Sequence, residues 1–175
     1  MIRVYLDCDG VLADFDKKAM SLLGGKRPRD FENTEGEQAL WDQLYRHADF
    51  FASLPPMKDA LRLVAGVQQL GFYPTILTGI PKPEGGPGAV NAAEQKRAWV
   101  KTHIGDYPVI TCRSKDKWTH MEKPGDVLID DWHKYKPLWE KRGKFILHTS
   151  ALDSLEQLQK YRDDVHWEWT NLRRL

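Results

Sequence analysis

The sequence predicts an α/β protein: a doubly wound core with a central parallel sheet of about five strands and a small helical cap inserted after the first strand. Three observations carry this. Short, nearly all-apolar runs alternate with amphipathic stretches from Lys58 onward, as strands buried on both faces and joined by right-handed crossovers do. About forty residues between Asp14 and Pro56 read as helix and loop only. Three of the apolar runs stop abruptly in polar side chains: Leu6 in Asp7 and Asp9, Leu77 in Thr78, and Ile129 in Asp130 and Asp131.

The elements follow in order. Val4-Tyr5-Leu6 is the first strand, and Gly10 permits the sharp turn behind it. Phe15, Ala19, Leu22 and Leu23 form one helical stripe that Gly24 stops, residues 25–34 are polar and read as loop, and Leu40, Trp41, Leu44 and Ala48 mark a second stripe. Pro55-Pro56 forbids its continuation. A helix is expected over Lys58–Leu70, a strand over Tyr73–Leu77 closed by Thr78-Gly79, and a Pro- and Gly-rich loop over Ile80–Gly88. Asn91 with Glu94 resembles a capping box opening a helix to about His103. Val109-Ile110-Thr111 is the third strand, Arg113–Lys117 a basic loop, Val127-Leu128-Ile129 the fourth strand, Lys136–Arg142 a helix and Phe145-Ile146-Leu147 the fifth strand. Ser150 caps a last helix carrying Leu152, Leu155 and Leu158, and no structure is assigned after Asp163. The division expected is a core of residues 1–14 and 57–175 with a cap of 15–56.

Composition narrows the function. The chain has 175 residues, with 26 Lys and Arg against 25 Asp and Glu, a formal net charge of +1. That balance gives no bulk attraction to a nucleic-acid polymer or an anionic membrane. No apolar run approaches the ~20 residues of a membrane helix. Cys8 and Cys112 are the only cysteines, too few for a disulfide scaffold, so a reducing cytoplasm is the expected setting. The histidines show no metal spacing, and His133 and His148 read as structural.

Ligands of open parallel sheets bind at the carboxyl ends of the strands, near the switch in strand order. If the three polar-ended strands are neighbours, four carboxylates and a hydroxyl share one spot. Such a cluster calls for a cation, because each carboxylate raises the pKa of the others. Oxygen-only ligands favour Mg²⁺. Mg²⁺ uses one or two carboxylates plus a substrate phosphate, which frees an Asp as nucleophile toward phosphorus and a second, two residues on, as acid and base. Thr78 is placed to donate to a phosphoryl oxygen, and a lysine after the third strand to offset its charge.

Asp7-Cys8-Asp9-Gly10-Val11-Leu12, Thr78, a later Lys and Asp130-Asp131 resemble the four motifs of the haloacid dehalogenase-like phosphohydrolases, whose core is Rossmann-like. Tyr5–Phe15, Phe50-Phe51, Leu54-Pro55-Pro56, Ile76-Leu77-Thr78, Lys96 with Trp99-Val100, and Leu128–Asp131 are similar to the 5'(3')-deoxyribonucleotidases. The resemblance implies Asp7 as nucleophile and Asp9 as acid and base, both at the metal. It implies Thr78 and Gly79 at the phosphate, Lys96 near it, and Asp131 as metal ligand with Asp130 beside it. Among Lys115, Lys117 and Lys123, Asp116-Lys117 best matches the third motif. Where the nucleotidases carry Thr-Ser, this chain has Thr78-Gly79 and lacks one phosphate-binding side chain. Phe15, Trp41, Phe50 and Phe51 are candidates to line a base pocket, although the helical spacing of Trp41 also suits a core residue.

The expectation is a Mg²⁺-dependent phosphomonoesterase working through an aspartyl-phosphate on a nucleoside monophosphate, with a homodimer as the assembly considered. Another small phosphate, such as a sugar phosphate, is the alternative substrate. A non-catalytic phospholigand-binding protein is the alternative class, and the intact Asp7/Asp9 pair argues against it.

Overall fold

The computed structural model describes residues 2–82 and 86–172, without the side chains of 167–172. Five strands, β1 (Val4–Leu6), β2 (Thr75–Gly79), β3 (Val109–Cys112), β4 (Val127–Asp130) and β5 (Lys144–Leu147), form one sheet in the order β3-β2-β1-β4-β5. Every pairing is parallel, with Leu6 facing Ile76 on one side and Ile129 on the other. The order of connection reverses between β1 and β4. There the Asp7 amide donates to the Ile129 carbonyl at 2.9 Å, bringing the two acidic strand ends side by side.

The period-two alternation of the strands divides the molecule into two cores. Val4, Leu6, Ile76, Val127, Ile129 and Ile146 point to one face, and Tyr5, Leu77, Leu128 and Phe145 to the other. The first face is covered by α4 (Ala60–Gln69), α6 (Ala92–His103) and α8 (Ala151–Leu172). Gly66 lets α8 close on α4: a Cβ there would stand 2.3 Å from Leu155 Cδ1. The second face has thinner cover, a 3₁₀ helix over Ser114–His120 and the one-turn α7 (Lys136–Trp139). Its centre is Trp139, edge-to-face with Tyr5 at 5.5 Å and donating through Nε1 to the Asp126 carbonyl at 3.1 Å.

Between β1 and α4 lie α1 (Phe15–Leu22), α2 (Pro28–Glu35) and α3 (Glu37–Tyr45). The way in and the way out of this segment touch. Asp14 N donates to Pro55 O at 2.7 Å and Met57 N to Leu12 O at 2.8 Å. α6 braces it, Gln95 bonding Ala52 N and Ala48 O, and Trp99 Nε1 bonding Leu54 O at 2.6 Å.

Several elements differ from expectation. Residues 25–34 are not all loop, because Pro28 starts α2 and Gly36, at φ +93°, ends it; a helix with few apolar residues leaves little periodicity to read. Pro87–Val90 is a short helix, α5, that runs into α6 through Asn91; Gly85 lies outside the described residues. Asn91 makes no side-chain cap, so the capping box does not form. α4 starts at Ala60, and the Asp59 carboxylate instead accepts from Ala151 N at the head of α8, at 2.7 Å. The basic loop is the 3₁₀ helix, α7 stops at Trp139, and α8 continues past Asp163 to Leu172. The side chains of Trp167 and Trp169 lie outside the described residues. Ser150 Oγ does accept from Asp153 N, at 3.2 Å.

Candidate active site

The strand ends build a site with two halves, one from each face of the sheet. On the thin face, Lys117 is 6% exposed and its Nζ lies 2.9 Å from Asp7 Oδ1 and 2.7 Å from Asp130 Oδ2. The 3₁₀ turn puts it there, while Lys115, two residues earlier, is exposed. Burial works against the Lys117 charge, but Asp7 and Asp130 more than offset it and hold the ammonium form well beyond its usual range. Asp7 Oδ1 also accepts from Cys8 N at 2.8 Å, and Asp130 Oδ1 from Trp132 N at 2.8 Å. These bonds fix both carboxylates.

On the thick face, Lys96 is 1% exposed and spends all three N–H bonds inside the protein: Asp9 Oδ2 at 2.6 Å, Thr78 Oγ1 at 3.0 Å and Gly79 O at 2.7 Å. It is no solvated helix residue. It ties the ends of β1 and β2 together, with Phe51 beneath it, 4.6 Å from ring centre to Nζ. Because Thr78 Oγ1 accepts from Lys96, its own O–H is left to donate. Asp9 Oδ1 is buried and has no partner among the described residues. Burial pushes the Asp9 carboxyl up, with Lys96 opposing and Asp7 adding to the rise.

Asp131 completes the cluster. The residue as a whole is exposed, yet its carboxylate turns in against Gly10, where a Cβ would stand 2.1 Å from Oδ2. Gly10 has φ +76°, so the position demands glycine twice, for backbone conformation and for space. Desolvation, followed by Asp7 and Asp130, pushes Asp131 up to about 8. Asp130 is raised by the same burial and by Asp7. Asp7, Asp130 and Asp131 each offer an oxygen within 4.8 Å of the others'. Together with Asp9 they oppose four carboxylates to the two ammonium groups of Lys96 and Lys117. The shortfall of positive charge and the all-oxygen donor set both fit a hard divalent cation such as Mg²⁺.

Two residues stand out that the sequence did not mark. Ser114 Oγ lies 2.2 Å from where a Cβ of Gly79 would be, so a hydroxyl occupies the space beside Thr78 where the motif lacks a side chain. Tyr45 is buried, and burial together with the Asp9 carboxylate holds its hydroxyl protonated. Neither position has a pattern in sequence, because contact across the fold brings it to the site. Cys8, between the two aspartates, is 1% exposed with its thiol pushed well above the usual range, first by burial and then by Asp9. His148 is buried and bonded to Ser154 Oγ at 2.9 Å, as a structural residue.

The aromatic candidates separate. Phe50 and Phe51 are 0% and 2% exposed and pack on each other at 5.0 Å, so neither presents a ring face to a base. This corrects the expectation: Phe50 meets Phe15, and Phe51 meets Tyr45 and Lys96. Phe15 and Trp41 are part-exposed, 6.0 Å apart, and Trp41 stacks on Tyr45.

No family model and no curated protein sequence matches the chain. In structure it is similar to a dehalogenase, with TM-score 0.50 and 13% identity over 85% of each chain. It is also similar to a hydrolase from Pseudomonas syringae (TM-score 0.45, 13% identity, 91% of this chain and 99% of that one). A third is L-2-haloacid dehalogenase from Xanthobacter autotrophicus with chloropropionic acid covalently bound (TM-score 0.46, 16% identity, 82% and 76%). At these identities the likeness bears on the fold alone, an α/β core around an all-parallel five-stranded sheet.

Proposed function

We propose that the protein is a Mg²⁺-dependent phosphomonoesterase that works through an aspartyl-phosphate on Asp7. The observation that carries this reading is the division of labour between the two aspartates. Asp7 is gripped by a lysine and a backbone amide, whereas Asp9 keeps one buried oxygen without a partner among the described residues. A fixed carboxylate suits a nucleophile, and a held carboxyl with a free oxygen suits a proton carrier.

Asp7 attacks phosphorus, the bond from phosphorus to the ester oxygen breaks, and the proton of Asp9 goes to that oxygen. Asp9 then takes a proton from water, whose oxygen attacks the aspartyl-phosphate, releasing inorganic phosphate and restoring Asp7. Thr78 donates its O–H to a phosphoryl oxygen, and Lys117 balances charge around Asp7. Asp7 and Asp131 would hold Mg²⁺, with Asp130 beside them, and the ion would supply a Lewis acid for the phosphoryl oxygens. Nucleoside monophosphates are the substrate class that the motif resemblance favours.

The test is hydrolysis of p-nitrophenyl phosphate with and without Mg²⁺, in the native protein and in Asp7→Asn. Turnover is expected to vanish with chelator and return with Mg²⁺, and to fall by at least ~10⁴-fold in Asp7→Asn with the far-UV spectrum unchanged. A phosphate-mass adduct on the Asp7 peptide after acid quench would identify the intermediate. Native-like turnover in Asp7→Asn refutes the assignment.

A further inference from the structure

On the thin face of the sheet a crevice opens between the 3₁₀ helix and the segment that follows β4. Asp7, Lys117 and Asp130 line it together with Trp118, Trp132 and Tyr135. The two indoles are each 45% exposed, a large apolar surface to leave in water beside a charged cluster. Their positions are tied to that cluster. Trp118 follows Lys117, and the backbone N–H of Trp132 is the donor that fixes Asp130, at 2.8 Å. Tyr135 braces Trp132 edge-to-face at 5.5 Å, and Lys134 Nζ lies over both rings, at 5.1 Å and 5.6 Å.

We infer that this crevice, and not the pair Phe50 and Phe51, receives the organic part of the substrate, and that this part carries a flat aromatic ring. The inference rests on the phosphomonoesterase reading and deepens it. The ring of a phosphomonoester held at Asp7 would lie against Trp118, whose neighbour Lys117 pairs with Asp7, and Trp132, whose backbone N–H fixes Asp130. Phe50 and Phe51 cannot serve, since burial leaves them no open face. Trp132 is then a specificity-determining residue.

Calorimetric binding of phenylphosphonate and methylphosphonate in Mg²⁺ buffer tests this without turnover. The native protein is expected to bind phenylphosphonate about tenfold more tightly, the scale of one stacked ring. Trp132→Ala should bring phenylphosphonate down to the methylphosphonate level without changing the latter, and Trp132→Phe should restore part of the difference. Equal binding of the two by the native protein overturns the subsite alone. So does a Trp132→Ala variant, folded by circular dichroism, that weakens both equally or leaves the phenyl preference intact. Failure of both phosphonates to bind overturns the phosphate site itself and the subsite with it.

Discussion

The two faces of the sheet contribute to the same site in different currencies. The thick face, under α4, α6 and α8, sends in Lys96, which is 1% exposed and has every N–H committed to the ends of β1 and β2. The thin face, under a 3₁₀ helix and a one-turn helix, sends in Lys117, which grips Asp7 and Asp130 beside an open crevice. One lysine holds the frame and the other lies at an open crevice. A deep core fixes its groups rigidly, whereas sparse cover leaves room for a ligand.

That contrast can be broken experimentally, and the largest effect is expected at the thick face. Lys96→Met removes the partner of a part-buried Asp9, which should cost about 3 kcal/mol in urea unfolding, the lower end for a broken buried pair because Asp9 is partly open to water and can take up a proton. A loss below 1 kcal/mol would show that Lys96 is not structural. Lys117→Met unpairs two carboxylates that line an open crevice, where water can reach them, so it should cost less stability than Lys96→Met while kcat for p-nitrophenyl phosphate falls by about 10²–10³-fold. Equal losses of stability in the two variants would erase the distinction. Gly10→Ala forces Asp131 out of its place, and the Mg²⁺ concentration for half activity should rise by about 10- to 100-fold; an unchanged Mg²⁺ titration would exclude Asp131 as a ligand. The smallest expected effect is a difference between two variants, and it sharpens the comparison of the cores themselves. Leu63→Ala, inside the thick face, should cost about 2–5 kcal/mol. Leu128→Ala borders the crevice and should cost about 1 kcal/mol less, because its cavity joins space already open. The reverse order would mean that the thin face is the better packed.

Much of this was legible in sequence wherever a periodic or strand-end pattern exists. Apolar runs ending in Asp7, Thr78 and Asp130 announced a parallel sheet with its site at the strand ends, and the sheet order brings those ends together. Lys117 stood out by its neighbour Asp116 and does meet Asp7 and Asp130. What stayed hidden depends on contacts between distant segments. The α2 helix has little amphipathic pattern, and the place of Ser114 over Gly79 follows from the register of β2 beside β3. Phe50 and Phe51 misled because an aromatic pair reads alike whether it lines a pocket or fills a core. Asp126 makes the same point for acids. It is fully buried, yet three backbone N–H groups satisfy it, so its role is to hold a loop.

The thiol of Cys8, sealed between the two aspartates, has a practical consequence. Reagents that need a thiolate cannot reach it in the folded protein. In a Cys112→Ser background, its alkylation rate becomes a clock for the opening of the first strand, read at the centre of the site.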